Sequence, residues 1–459
     1  MNLAYKYNLL YWQTANLIVE SGALDEEAND ATNYGKTAVA IALAQKEGVN
    51  VSLPLINEAE FGFKPDIKNN RVIFGLKGIN GINTETSQVI ISNRPYTSME
   101  DFAHKLIDTG IIKNNQMLQL IKGGCFTELH SSDKIETMKW YLNNYVFEKC
   151  NKLTMQQFAS IKEMGIIPDD LTLAVKMVNF KKYVLDDTHL VEKYIDQNKK
   201  PVKRGYHDGR YTLDQNSTQF FMDNFTEDSV CYVRNGFYVV GEKSFTKEVD
   251  SYIQPLKDWF SSNEALEAYN KKSFEILWDK HAGSTPEAWS MKALNYYDGK
   301  HELENINESK YGIENFFELS ETPEVYDTYS KYIDNEIKTF PKYKITRIAG
   351  TVINADNNHY MIHLLTKYGV VPVKFNKGHY AYYGKQISAQ LDPNSSKKTV
   401  LEKSWLQRGT KLIITGIRIE QNFKPMRYND TVYQHTCNKI EEVYDNGDML
   451  VLSERVKTD

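Results

Sequence analysis

Cysteine is scarce: Cys125, Cys150, Cys231 and Cys437 stand far apart in a chain of 459 residues and make no C-x-x-C pair. That excludes a disulfide framework and a zinc knuckle, and fits a reducing compartment. The ten histidines form no metal-ligand cluster along the sequence, so no metal or cofactor is expected on this chain. No stretch approaches the roughly 18 consecutive apolar residues that a membrane helix needs. The N-terminus lacks the charged-then-apolar pattern of a secretory signal. The expectation is a soluble, cytoplasmic protein with no membrane contact. Internal repeats and low-complexity tracts are absent as well.

The composition, 41% hydrophobic and 25% charged, is that of an ordinary globular chain with room for several cores. Tyrosine is abundant, 30 residues against 6 Trp, and supplies flat amphipathic surfaces for core edges or base stacking. The net charge of −5 is unevenly spread. Residues 341–440 hold 12 Lys and 4 Arg against 5 acids, a balance of +11, which leaves −16 on the rest. A basic module on an acidic body is what contact with a phosphate backbone requires, although a solvated basic face would look the same.

Up to about residue 60 the pattern is helical, with an apolar set at Leu9, Leu10, Ala15, Leu17 and Ile18 and a second stretch from Thr37 to Glu47. A short strand is expected over Val51–Ile56, followed by a glycine-punctuated segment, Gly75-Leu76-Lys77-Gly78-Ile79-Asn80-Gly81-Ile82-Asn83, that opens into the apolar face Val89-Ile90-Ile91. A tight turn at a helix start presents successive backbone N–H groups, and those groups hold a phosphate without reading a base. Asn83 stands where a second hairpin glycine is expected and is read as a tolerated left-handed residue. Asn114–Ile121 running into Gly123-Gly124 supplies a partner hairpin. Lys77, Arg94, Lys113 and Lys122 are the nearby cations, and with Gly78, Gly81, Asn83 and Gly123 they make up the candidate duplex site. The same turn would also serve merely to pack two helices.

Five β-rich runs follow near the C-terminus, at 345–353, 360–365, 370–375, 411–419 and 431–440, with a helix expected over Tyr380–Gln390. This is the layout of a small OB-type barrel, which binds single strands through a basic groove with stacking aromatics. Candidate backbone contacts are Arg347, Lys374, Lys377, Arg408, Lys411, Arg418 and Arg427. Candidate stackers are Tyr360, Phe375, Tyr380, Tyr383, Trp405, Phe423 and Tyr428. Lys374, Arg418 and Phe423 are favoured, though strand parity alone leaves open which of these residues face the groove. The fold class is therefore multidomain α+β, with a mainly helical N-terminal part carrying a helix-hairpin-helix, an α-rich middle and a five-stranded C-terminal barrel.

Four ordered stretches resemble the alpha subunit of bacterial DNA polymerase III, a C-family replicative polymerase, in its phage-borne versions above all. They are Leu53-Pro54-Leu55-Ile56-Asn57-Glu58, Val72-Ile73-Phe74-Gly75-Leu76-Lys77-Gly78-Ile79, Pro95-Tyr96-Thr97-Ser98-Met99-Glu100-Asp101-Phe102 and Leu118-Gln119-Leu120-Ile121-Lys122-Gly123-Gly124-Cys125-Phe126. Leu294 to Leu303 is similar to the segment preceding that family's OB domain, and Arg347 to Val352 to the start of the barrel. The resemblance implies domains at 1–60 (part of the fingers), 61–130 (tandem helix-hairpin-helix), 131–325 (α-rich connection), 326–445 (OB barrel) and 446–459 (tail).

The family's palm motif P-D-x-D-x-D is not matched. Pro65-Asp66-Ile67-Lys68 and Pro168-Asp169-Asp170-Leu171 begin like it and lack the further aspartate. No catalytic residue is therefore expected on this chain. The resemblance places Mg²⁺ on the palm of a partner chain, as in a split or internally started polymerase, while this chain binds primer–template duplex and single-stranded template. A stand-alone single-strand-binding or recombination factor, or a purely structural adaptor, are the alternatives. Gln219-Phe220-Phe221-Met222 is the nearest approach to a sliding-clamp peptide, with a buried aromatic cluster as its other reading.

Overall fold

The computed structural model describes residues 6, 8–25, 27, 31–185, 194–195, 201–202, 210–226, 232–234, 237–390, 398–426 and 436–457. The chain forms two compact units. One joins Met1–Val146 to Ala282–Asp459, and the other is Phe147–His281. The division falls inside the segment expected as a single connection over 131–325.

The first unit opens with helices α1 (Leu9–Glu20) and α2 (Tyr34–Lys46). Asn33 caps α2 by accepting the Lys36 N–H, and the alanine-rich sequence that follows buries Ala38, Ile41 and Ala44. A three-stranded sheet comes next: β1 (Asn50–Ser52) lies parallel and β2 (Lys64–Asp66) antiparallel to β3 (Arg71–Ile73). Helices α3 (Thr84–Ser92), α4 (Asn114–Lys122) and α5 (Lys134–Tyr141) complete the hairpin region. Its core is aromatic at several points. Phe63 lies 4.7 Å from Phe74, and Phe102 bridges Tyr96 and Phe126 at 4.8 and 4.9 Å. Each such ring contributes about 1.5–3 kcal/mol by leaving water.

After the second unit the chain returns as α6 (Pro286–Leu294), capped by Thr285 with proline at its first turn. The hairpin of β4 (Val325–Ile333) and β5 (Glu336–Tyr343) precedes the barrel. The barrel itself is built from β6 (Thr346–Asp356), β7 (Met361–Thr366), β8 (Gly369–Lys374), β9 (Lys411–Ile419) and β10 (Asn422–Pro425), with α7 (Lys377–Gly384) in the long connection. Antiparallel pairing of β6 with β9 closes the ring, and β8 runs parallel to β10. This closed five-stranded barrel is consistent with an OB type. Its interior is filled by Val352, Ile362, Leu364, Val371, Val373, Leu412, Ile414 and Phe423.

The fifth barrel strand is β10; of the run expected at 431–440, residues 431–435 lie outside the described residues. β11 (Cys437–Val443) pairs instead along the first half of β9 and carries β12 (Met449–Leu452) on its far side, extending the sheet. β12 lies in the segment expected to be a polar tail.

The second unit packs helices Thr172–Leu185, Gln215–Asn224, Glu242–Phe260 and Asn263–Ala282 with a sheet in which Phe237–Gly241 is central. The clamp-like tetrapeptide lies within the second of these helices. Phe221 is buried, and the Phe220 ring lies 4.5 Å from Phe180. The buried-cluster reading is therefore the one that fits, because a helical segment with its central ring enclosed presents no extended peptide.

Candidate nucleic-acid interface

Two patches of the first unit bring together cations and backbone donors. The first surrounds the turn before α3. Gly81 sits at φ +82 and is exposed, with its N–H 3.3 Å from the Tyr34 hydroxyl. A left-handed backbone is cheap only for glycine, so residue type and turn geometry agree there. Asn83 is different from expectation: its backbone is extended, and its side chain accepts the Thr86 N–H at 2.8 Å. It is the helix cap, so Gly81 alone carries the left-handed corner.

Most of the cations expected at this turn are engaged or enclosed. Lys77 is 5% exposed and its ammonium donates to the Thr84 hydroxyl at 3.1 Å. It braces the turn from inside and is removed from the list of phosphate contacts. Gly78 is buried, since a Cβ there would meet the Phe74 ring at 2.9 Å. Arg94 donates to the Ala59 carbonyl, and burial lowers its pKa; it ties two loops together. Gly123 is buried against Leu294. Lys113 stands exposed at the start of α4, where the Gln116 side chain accepts its backbone N–H at 3.0 Å. Lys122 is 6% exposed, and burial together with the Lys292 charge pulls its pKa down to about 8.

Residues from distant parts of the sequence meet this turn. Asn80 donates its backbone N–H to the Ala293 carbonyl at 2.8 Å and its side-chain amide to the Lys292 carbonyl at 3.2 Å. The guanidinium of Arg408, from the loop before β9, lies 4.9 Å from the centre of the Tyr34 ring, and burial lowers its pKa. Arg408 thus points toward the hairpin region and away from the groove in which it was expected. Lys292 and Tyr34 carry no local motif in the sequence, and only the folded chain brings them here.

The second patch is on the barrel. Val373 and Phe423 are opposed and face inward, so Lys374 and Lys424, next along β8 and β10, emerge side by side on the outer face. Lys377 is exposed at the start of the following helix. Among the described residues none of these three lysines has an ion-pair partner. Lys424 was missed, although its alternation with the inward Phe423 was the available signal.

The other barrel candidates have structural roles. Phe423, Tyr383 and Trp405 are fully buried, and Phe375 and Tyr380 nearly so; these rings fill the barrel and offer no face to a base. Tyr360 packs against the same core. Arg418 is wrapped: it donates to the carbonyls of Glu420 at 2.8 Å, Phe316 at 3.2 Å and Leu319 at 2.7 Å, and pairs with Glu321 at 3.1 Å. Arg347 donates to the Tyr311 carbonyl, and Lys411 pairs with Glu302 at 2.7 Å. Arg427 and Tyr428 lie outside the described residues.

The segments that begin like a palm motif are structural too. Asp66 bonds Asn69 and Arg71, and those bonds hold its pKa at about 2. Asp169 and Asp170 form a single helical turn. Among the described residues no group of three or more His, Cys, Asp or Glu side chains is placed to hold a metal ion. Among the same residues no helix is long and apolar enough to cross a membrane.

An exposed glycine corner in one patch and an outer face with Lys374, Lys377 and Lys424 in the other are thus the arrangement on the first unit. A helix-hairpin-helix motif matches residues 48–135. Over its whole length the chain is 39% identical to the "Probable DNA polymerase YorL" of Bacillus subtilis (strain 168), and equally to the "DNA-directed DNA polymerase" of Bacillus phage SPbeta. It spans about a third of the length of these relatives, 34% in each case.

Proposed function

We propose that this chain is a DNA-gripping portion of a polymerase III alpha-like, phage-type replicative DNA polymerase, whose bond-making carboxylates lie outside these 459 residues. The observation that carries the reading is the exposed Gly81 corner at the start of α3, in a chain matched end to end by relatives named DNA polymerases. Backbone amides of the first turn of α3, beside that corner, hold one strand of the primer–template duplex by its phosphates, independently of sequence. The outer face bearing Lys374, Lys377 and Lys424 attracts single-stranded template. Electrostatic hold of this kind supports processivity and supplies no chemistry. The Mg²⁺ of the two-metal reaction would sit in the palm and would draw no ligand from this chain.

The test is primer extension beside DNA binding. The pure chain is expected to bind a primer–template with steep salt dependence, log K falling by about 0.9 per neutralised phosphate against log salt, and to extend nothing until a palm-bearing chain is added. Nucleotide incorporation by the pure chain would overturn the missing palm. Absence of salt-sensitive binding would overturn the grip.

A further inference from the structure

β4 and β5 form a two-stranded ribbon that no third strand joins among the described residues, and every residue of β4 is exposed. Tyr326, Tyr332 and Ile337 are 67%, 72% and 74% exposed. A ribbon wet on both faces is marginally stable alone, and large apolar side chains gathered outside mark a contact surface. The turn fixes which edge is open. Asp334 and Asn335 both have positive φ, +54 and +63, and Ile333 opposes Glu336 across them. This is the geometry of a tight two-residue turn, whose flanking pair exchanges both backbone bonds. Alternation then directs the N–H and C=O of Thr328, Ser330 and Tyr332 away from β5. Pro341, opposite Thr328, fits this register and leaves the outer edge of β5 short of a donor. A register shift before Tyr343 ends the regular ladder, so residues 327–333 of β4 are the straight, open edge.

That edge is complementary to itself. Laid antiparallel on a second copy about Tyr329, it sets Thr328 against Ser330, whose outward groups then exchange backbone bonds, Asp327 against Lys331, and Tyr326 against Tyr332. Each pair occurs twice by symmetry, so charges meet opposite charges while hydroxyls and rings meet their own kind. On β5 no such ladder forms, because Pro341 interrupts its donors. We propose that this chain associates with a second copy of itself through the free edge of β4, closing a four-stranded sheet in the order β5–β4–β4–β5 about a two-fold axis at Tyr329. In that sheet Asp327 lies between Lys342 of its own chain, 2.6 Å away, and Lys331 of the second copy. The association uses neither the glycine corner nor the lysines on the outer face of the barrel, so it stands or falls separately from the proposed function.

The test is sedimentation equilibrium of the full chain, without DNA, over a concentration series. A reversible monomer–dimer equilibrium is expected. Asp327→Lys and Lys331→Asp should each weaken the dimer by about tenfold, since each turns two opposite-charge pairs into two like-charge pairs. Mixing the two variants in equal amounts should restore the parental affinity, because the heterodimer regains both pairs; a variant that merely misfolded would not be rescued. Ser330→Pro, which removes an outward N–H as Pro341 does on β5, should abolish association. A parent chain that stays monomeric up to its solubility limit would overturn the proposal. So would a mixture no better than either variant, or an assembly that grows past the dimer. If the parent is monomeric and the two charge variants weaken its binding of single-stranded DNA, the hairpin is a DNA contact and the self-association is overturned as well.

Discussion

Arg418 is the residue whose sequence reading and structural role differ most, and its replacement separates the two. Read as a groove cation, it should contact phosphate. In the fold its guanidinium collects the carbonyls of Phe316, Leu319 and Glu420 and the carboxylate of Glu321, with the Phe316 ring 4.7 Å away. Arg418→Leu keeps the apolar stem and strands these acceptors. Each stranded carbonyl costs about 1–3 kcal/mol, and part of that is returned because no charge is buried. The net expectation is about 3–4 kcal/mol for opening of the barrel. At 1.4 kcal/mol per tenfold, amide exchange over Phe316–Glu321 and β9–β10 should accelerate by roughly two to three orders of magnitude. Hydrogen-exchange mass spectrometry reads this by peptide, so exchange in the second unit serves as an internal reference. The slope of DNA affinity against salt should be unchanged while the protein is folded. Unchanged exchange together with a slope lowered by about one would refute the structural assignment and return Arg418 to the groove.

His301 gives a pH signature. It accepts the Leu303 N–H at Nδ1 and donates from Nε2 to the Leu365 carbonyl, which fixes the neutral ring, and burial lowers its pKa to about 4 from the ordinary 6.5. The unfolded chain binds the extra proton first, so this stability is fully present above pH 6.5 and is lost as pH falls toward 4. On the order of 3 kcal/mol is at stake, and urea midpoints of His301→Ala should vary less over that window than those of the parent. Gly416→Ala should open the barrel, because a Cβ would stand 2.2 Å from the Lys424 carbonyl across β9 and β10; loss of several kcal/mol in chemical denaturation is expected. Asp298→Ala leaves the 8%-exposed Lys134 without the carboxylate 2.6 Å away, and should cost about 3–5 kcal/mol, with Lys134→Met in the same background restoring most of the unfolding temperature.

What the sequence revealed follows from local pattern. The glycine corner and the first four barrel runs are written in spacing and residue type and are present, while the helix expected over Tyr380–Gln390 lies at Lys377–Gly384 and gives way to a strand at Ile387–Ala389. Facing was harder to read. The run containing Phe423 alternates, yet period two does not say which set turns inward, and the ring proved to be core while Lys424 faces water. Asn83 has the residue type of a helix cap as well as of a left-handed corner, and the cap reading won because Thr86 lies three residues on. The charge balance misled for a different reason. Glu302, Glu308, Glu321, Glu324 and Asp327 precede the basic segment in sequence but fold back to pair with Lys411, Lys367, Arg418, Lys344 and Lys342. Five of the eleven excess positive charges are therefore neutralised in place. Lys292 was invisible because nothing in a one-dimensional pattern joins it to a turn more than 200 residues earlier.

The Tyr34 side chain touches Gly81 with its hydroxyl and Arg408 with its ring, while Tyr297 reaches from the end of α6 to the Thr351 hydroxyl at 2.8 Å. Corner and barrel are thereby fastened at two points and cannot drift apart. Under the proposed function such a body would work as a caliper, with the span of nucleic acid between its two jaws set by the protein, and nuclease footprints on substrates of differing sequence should share one length.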